Sequence, residues 1–565
     1  MIKRLFSGKI NSITLAALLV ALSSLVSRFL GIFRDRILAG EFGAGDTLDV
    51  YYAAFRIPDF IFNMLVLGAL SAGFIPIFSN LLKTRDGKST KEMRIKNKEA
   101  WNLASNILNV LALALIVISF LLITFSPYLS KLIVPGFSPD KQALVARLTM
   151  IMYLSPIFLG ISSVFGGILQ SFKRFFVYSL SPILYNIGII IGALFFVPIW
   201  GVFGLAWGVV LGTFLHMLVQ IPMVFKLGYS YKPIIDLKNK YFKKISIMMV
   251  PRTLSLAIAQ INFLVITVMA SSLESGSLAV FNFANNLQSF PIGIFGISFA
   301  VAAFPVLSSV AFDKKKLIEN VSHVFRQIIF FIIPATVLML ALRAQVVRVI
   351  LGTGQFGWQD TVATIDALSF FTISLFAQAS IPLLVRVFYA RHNSKTPFFI
   401  GLVSIAINII LSYYLPKIEV AQTIIDPSGL RVVEYFPLGV AGLALAFSIA
   451  NIVNFVLLWI VLKFELGSMD EKRIFISISK FSVSAIAAGI IVQAMENYIA
   501  PIVDMERFWG ISTQMIIAGT SGVLVYVAFC SLLKSEELFN FWHSIKRRLP
   551  GQKIETGDQG EARGI

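Results

Sequence analysis

The sequence predicts an all-α, polytopic membrane protein of about fourteen transmembrane helices, built as two six-helix lobes related by an internal repeat plus two C-terminal helices. Three observations carry that expectation. Apolar runs of about twenty residues recur along the chain, each long enough to cross a bilayer as a helix. Composition agrees: 57% of residues are hydrophobic and 14% charged, with a mean hydropathy of +0.83, whereas about a quarter of an ordinary soluble domain is charged. Finally, a pattern of Pro and Gly in the first half of the chain returns six helices later.

In chain order the spans are predicted at 11–40, 48–82, 99–128, 140–169, 177–197, 201–226, 245–271, 276–310, 317–351, 361–390, 396–416, 437–463, 474–499 and 509–533. Lys3, Arg4 and Lys9 precede the first apolar run, as in a signal peptide. No small-residue cleavage site follows, so this run reads as an uncleaved first helix. An even number of spans places both termini on one side. Of the 48 Lys and Arg residues, 34 fall at the termini and in alternate loops on that side, 5 on the opposite side and 9 inside spans. Basic loops stay cytoplasmic, so a plasma (inner) membrane location with both termini in the cytoplasm is expected. The stretch "SIKRRLPGQK" after the last span could also meet anionic lipid head groups.

The repeat sets the expected domains. "SPILYNIG" from Ser181 leads into "GVFGLA" at Gly201; "TPFFIGLV" from Thr396 leads into "GVAGLA" at Gly439. "FIPIFS" at 74–79 and "AFPVLS" at 303–308 close spans 2 and 8. The period is six helices, which gives an N-terminal lobe at 1–228, a C-terminal lobe at 229–466, a final helix pair at 467–534 and a basic tail at 535–565. Repeated bundles are a transporter architecture, with the substrate site between the repeats and access alternating by rocking of one lobe against the other.

Charge inside a membrane is expensive and usually faces water or a partner. "SRFLGIFRDR" places Arg28, Arg34, Asp35 and Arg36 in span 1. Arg28 lies sixteen residues after Ser12, about 24 Å along a helix. Arg28 and Asp35, seven apart, share a face, whereas Arg34 is rotated about 240° from Arg28. Span 2 adds Arg56 and Asp59 on either side of Pro58, and Asp49 opens that helix, either as an N-cap or as a gating or coupling group. Span 7 carries Arg252 directly after Pro251, and span 8 carries a neutral polar face that includes Asn285, Asn286 and Gln288. Arg147, Arg326, Arg343 and Arg348 lie near span ends and are expected to snorkel. A cationic cavity suits an anionic cargo, and forked guanidinium donors match phosphate. The substrate-binding candidates are therefore Arg28, Arg34, Arg56, Arg252 and Asn286, with Asp49 and Asp35 as gating or coupling groups. The competing reading pairs the arginines with Asp35 and Asp59 and leaves them a packing role only.

Other classes are disfavoured. One cysteine, Cys530, excludes an internal disulfide and any multi-cysteine metal site. His216, His323, His392 and His543 are scattered, so neither a metal, a cofactor nor membrane-surface enzyme chemistry is expected. The net charge of +19 lies in membrane-flanking loops and calls for lipid rather than nucleic acid. A drug exporter for cations would place acidic residues in its cavity.

"SRFLGIFRDRILAGEFGAGDTLDVYYAAFRIPDF" followed by "GALSAGFIPIFS" resembles the N-terminus of the MurJ/MviN family of bacterial lipid II flippases, part of the superfamily of multidrug, oligosaccharidyl-lipid and polysaccharide exporters. "PGFSPDK", "SFPIGIFGISFAVAAFPVLS" and "VFYARHNSKTP" also resemble family segments. The resemblance implies movement of undecaprenyl-diphosphate-linked peptidoglycan precursor from the cytoplasmic to the outer leaflet. It places the family's motif arginines on Arg28 and Arg34 and its acidic residue on Asp49. It also implies a lipid-tail groove in the last two helices and partners in membrane lipids and the cell-wall synthesis machinery. Two positions where the family carries charge are Phe62 and Leu67 here, and Asn285-Asn286 stands where the family often has Asp-Arg. These departures keep open another polyprenyl-diphosphate-linked glycan as cargo, or a scaffold that does not transport.

Overall fold

The computed structural model describes residues 13–67, 73–82, 91–425 and 431–546. Among the described residues, every predicted span falls on one or two helical segments. The first is Ile13–Phe42 and the third Lys91–Ile133. Among the described residues ten helices are long and apolar enough to cross a membrane, and the pair Trp358–Ile373 and Leu375–Ala390, bent by 47°, would be an eleventh. Spans 1, 2 and 7 lie outside that count. They hold six of the seven candidate residues.

Prolines dictate where the helices break. Pro58 lies inside Asp46–Ile61, after which the chain runs as a π-helix over Phe62–Leu67 and returns to α at Ile75–Leu82. Pro156 lacks the N–H that would close the turn on Met152, and span 4 splits there into Pro139–Met152 and Leu154–Ser171. Span 8 repeats the device: Ser277–Pro291, a π-turn at Ile292–Ile297, then Ser298–Ser309.

The glycines of the repeat solve one packing problem twice. Gly201 and Gly439 hold φ of +59° and +51°, which L side chains rarely adopt. Three residues on, a Cβ at Gly204 would lie 2.4 Å from the Phe196 backbone, and one at Gly442 2.7 Å from that of Pro416. In both halves the new helix starts pressed against the end of the preceding one. Span 5, Phe175–Trp200, goes further: a Cβ at Gly188 would lie 2.2 Å from the Gly212 Cα, so spans 5 and 6 meet backbone to backbone.

The chain divides into two compact units, 1–279 and 280–565. The first has a core around Phe74, Phe78, Tyr153 and Phe165; the second has one around Phe325, Phe330, Phe388 and Phe481. The connection between spans 11 and 12 contains an antiparallel hairpin, β1 (Glu419–Ile425) with β2 (Arg431–Pro437), in which Glu419 pairs with Pro437. Its β-branched runs around "DPSG" are a strand–turn–strand signal. A final helix, Glu536–Lys546, follows the last span.

Candidate functional site

The site in the first unit is built on the second half of span 1. Arg34 donates from Nε and Nη2 to Asp35 Oδ1, at 3.0 and 2.7 Å, and from Nη1 to Asn186 Oδ1 at 3.1 Å. Asp35 and Asn186 are 5% and 7% exposed. Asn186 is itself fixed, donating to the Pro182 carbonyl at 3.1 Å and to the Ser27 carbonyl at 3.3 Å. The glycine seam with span 6 positions span 5, and span 5 presents this amide to span 1. Arg34 thus commits three of its five N–H groups, and the two left over sit one on each terminal nitrogen.

Arg28, six residues earlier, is partly exposed and has no hydrogen-bond or ion-pair partner among the described residues. Asp35 shares its helical face, yet the carboxylate turns to the adjacent Arg34. The pairing reading therefore holds for Arg34 with Asp35 and not for Arg28.

Arg56 donates from Nε to Thr267 Oγ1 at 2.7 Å and lies over the Phe263 ring, 5.5 Å from its centroid, which ties span 2 to span 7. Asp59, one turn on, lines a cavity of about 10 Å³ with Phe62, Ser155 and Tyr185. That is room for about one water. The buried Ser155 Oγ has no hydrogen-bond partner among the described residues. Asp49 is 2% exposed and accepts from the Gly276 N–H at 2.7 Å and the Ala279 N–H at 2.8 Å, so it caps the start of the helix Ser277–Pro291 rather than its own. Beside it, Asp46 takes the Lys141 ammonium at 2.5 Å and the Ser275 hydroxyl.

Arg252 lies on the helix Lys240–Ala270, with its side chain outside the described residues. Asn286 is partly exposed on Ser277–Pro291 and belongs to the second unit. Its neighbour Gln288 is fully buried, donating to Asn285 Oδ1 at 3.1 Å and accepting from Gln378 at 2.9 Å.

Two features escaped the sequence reading. Asn186 sits in the quoted repeat, but its partner on span 1 lies 152 residues away. Arg326 does not snorkel: it is 3% exposed and paired with the equally buried Glu537. That carboxylate also accepts from Ser477 at 2.9 Å and from Ser535 at 3.0 Å. Arg147 is exposed, as expected.

Comparison with known proteins places these features in one family. A family model described as lipid II flippase MurJ matches residues 38–511. A probable lipid II flippase MurJ of Thermotoga maritima is 28% identical over 521 residues, which span 92% of this chain and 96% of that one. A lipid II flippase MurJ of Burkholderia cenocepacia is 27% identical over 79% of this chain and 83% of its own. Among solved structures, a lipid II flippase MurJ in an inward closed conformation matches with a TM-score of 0.72 and 25% identity, covering 94% of this chain and 100% of that chain. An inward-facing multidrug transporter of the MATE family shares the fold at a TM-score of 0.63 and 17% identity, over 79% and 96% of the two chains. With the family model covering most of its length, the chain belongs to the MurJ family.

Proposed function

We propose that this multi-pass membrane protein is a lipid II flippase: it carries the undecaprenyl-diphosphate-linked peptidoglycan precursor from the cytoplasmic to the outer leaflet of the plasma membrane by alternating access. The observation that carries the reading is the contrast within span 1. Among the described residues, Arg34 is clasped by Asp35 and Asn186 but keeps one N–H on each terminal nitrogen, and Arg28 has no partner. Two permanent cations with donors to spare suit the four charged or polar oxygens of a diphosphate ester, and charge-assisted bonds of this kind are the strong ones.

Asn186 acts as a positioning residue in this scheme. Without it the guanidinium would be free to rotate about its bond to Asp35. Arg56 steadies spans 2 and 7 beside the site, and Arg252 and Asn286 supply further polar contacts to cargo. Asp49 is the gating candidate: its two bonds to the start of the eighth span can form in one conformation and break in another. Asp35 tunes the charge of Arg34 and couples it to the span. The twelve bundle helices form the two lobes, the final pair receives the lipid tail, and both termini face the cytoplasm, as the basic loops favour. The work is carriage rather than covalent chemistry, performed alongside the cell-wall synthesis machinery.

Complementation tests the reading. In cells depleted of their own lipid II flippase, the wild-type chain should restore growth, whereas Arg28→Ala and Arg34→Ala, at equal abundance in the membrane, should not. No rescue of growth there, but restored export of another polyprenyl-diphosphate glycan in cells lacking the exporter for it, would assign the second cargo that the neutral Phe62 and Leu67 leave open. Failure to transport either would identify a scaffold.

A further inference from the structure

The acids of spans 1 and 2 differ in how their charge is met. Arg34 donates to Asp35, Lys141 pairs with Asp46, and Asp49 accepts two backbone N–H groups. The half-buried Asp59 carboxylate has no hydrogen bond or ion pair among the described residues. Arg56, three residues earlier, turns to Thr267 and the Phe263 ring, although its charge still reaches Asp59. An ionisable group inside a membrane span usually faces a partner or an ion pathway.

Asp59 lines the cavity of about 10 Å³ to which spans 2, 4, 5 and 6 all contribute. Three further oxygens belong to residues that line it. Ser155 is 5% exposed, and its Oγ has no partner among the described residues. Met152 ends the half-helix Pro139–Met152, and Pro156 denies its carbonyl the usual helical donor. The C-terminal end of a helix carries partial negative charge, which favours a cation. Tyr185 brings a phenol from span 5, while Phe62 and Val209 make apolar walls.

The chemistry of this set selects its ligand. All four groups offer oxygen, the donor of hard cations. Among the described residues no three His, Cys, Asp or Glu side chains gather as a site for a transition metal would require. Calcium takes about six to eight oxygens, with several carboxylates in a tight site, whereas this cavity has one carboxylate. A small monovalent cation asks for a single negative charge, and room for about one water suits it once its hydration shell is shed. Half-helix C-terminal ends and carbonyls freed at helix breaks are how membrane transporters hold such ions.

We infer that Asp59, Ser155 and the Met152 carbonyl bind a sodium ion, with Tyr185 beside it. The ion joins the proline break of span 2 to that of span 4, at Pro58 and Pro156. The site is separate from Arg28 and Arg34, so it stands whether or not the flippase reading does.

Binding of radiolabelled sodium to the purified full chain in detergent, with choline chloride holding the ionic strength constant, tests this. The wild type should bind saturably. Asp59→Asn, which keeps the shape and loses the charge, should bind one ion fewer per chain. Ser155→Ala should weaken that site about fivefold. The thermal unfolding midpoint gives a second readout and shows that each variant folds. It should rise with sodium in the wild type and rise less in Asp59→Asn. Equal sodium binding by the wild type and both variants would overturn the inference, as would no saturable binding by the wild type. So would a wild-type midpoint that responds to acid and not to sodium, as when Asp59 takes a proton instead.

Discussion

Arg326 in the second unit and Arg28 with Arg34 in the first are the same residue type in hydrophobic helices, finished in opposite ways. Arg326 and Glu537 are each 3% exposed, and two hydroxyls complete the carboxylate's shell. That pair is closed to solvent, although Arg326 donates only from Nη1 and its buried Nε has no partner among the described residues. Arg34 is 21% exposed at its side chain, keeps two N–H groups unspent, and has in Arg28 a neighbour with no partner among the described residues. That group is open. Spare donors alone do not separate the two groups, since Arg326 keeps a buried Nε unspent; access does, because Arg34 and Arg28 are partly exposed and Arg326 is sealed in.

The comparison is broken most forcefully at Glu537. Glu537→Ala removes the buried partner of Arg326 and leaves it only the more exposed Glu536, at 3.4 Å, which should cost about 3 kcal/mol of stability, the lower end for a broken buried pair, read as a large drop in the thermal unfolding midpoint of the purified chain. Glu537→Gln, which keeps an acceptor, should lose less. Arg28→Ala is the counterpart in the open group. No partner among the described residues is stranded, so the unfolding midpoint should stay at the wild-type value. Diphosphate-lipid affinity should fall by about 1.5–3 kcal/mol, roughly ten- to hundredfold, in a binding titration.

Asn186→Ala should have a smaller effect, about 1 kcal/mol or about fivefold in affinity. Asn186→Asp keeps the contact but places a second carboxylate on Arg34, and should lower affinity further while leaving the unfolding midpoint in place. A drop in midpoint equal for both variants would make Asn186 a packing residue only. The mildest change expected is the double replacement Arg326→Met with Glu537→Leu. Removing a closed pair together is often neutral, so transport in the complementation assay should continue at the wild-type rate, whereas Arg28→Met with Arg34→Met should stop it.

Much of this was legible in the sequence, because membrane helices declare themselves by length and apolarity, and prolines and glycines mark their own breaks. The approximate positions of the spans, the repeated glycine motif at Gly201 and Gly439, and the charged second half of span 1 needed no structure, whereas the start of the third helix at Lys91 and the break of span 9 at Leu342 did. What remained hidden depended on partners far away in the chain. Arg34 meets Asn186 across 152 residues, and Arg326 meets Glu537 across 211. Helical periodicity aligned Asp35 with Arg28, but a guanidinium one residue away reached that carboxylate first. Arg326 looked like a snorkelling residue because the helix that supplies its acid lies beyond the last span, in a segment read only as a basic tail. The hairpin at 419–437 was overlooked among helices, although its alternating β-branched residues signal it.

The central claim is that the open arginines of span 1 hold a diphosphate. The most direct measurement is titration of the purified, detergent-solubilised chain with an undecaprenyl diphosphate lipid and with its monophosphate, for wild type and Arg28→Ala. The account predicts that the wild type prefers the diphosphate by about tenfold or more and that Arg28→Ala erases the preference without changing the unfolding midpoint. Equal affinity of wild type and Arg28→Ala for the diphosphate would contradict it.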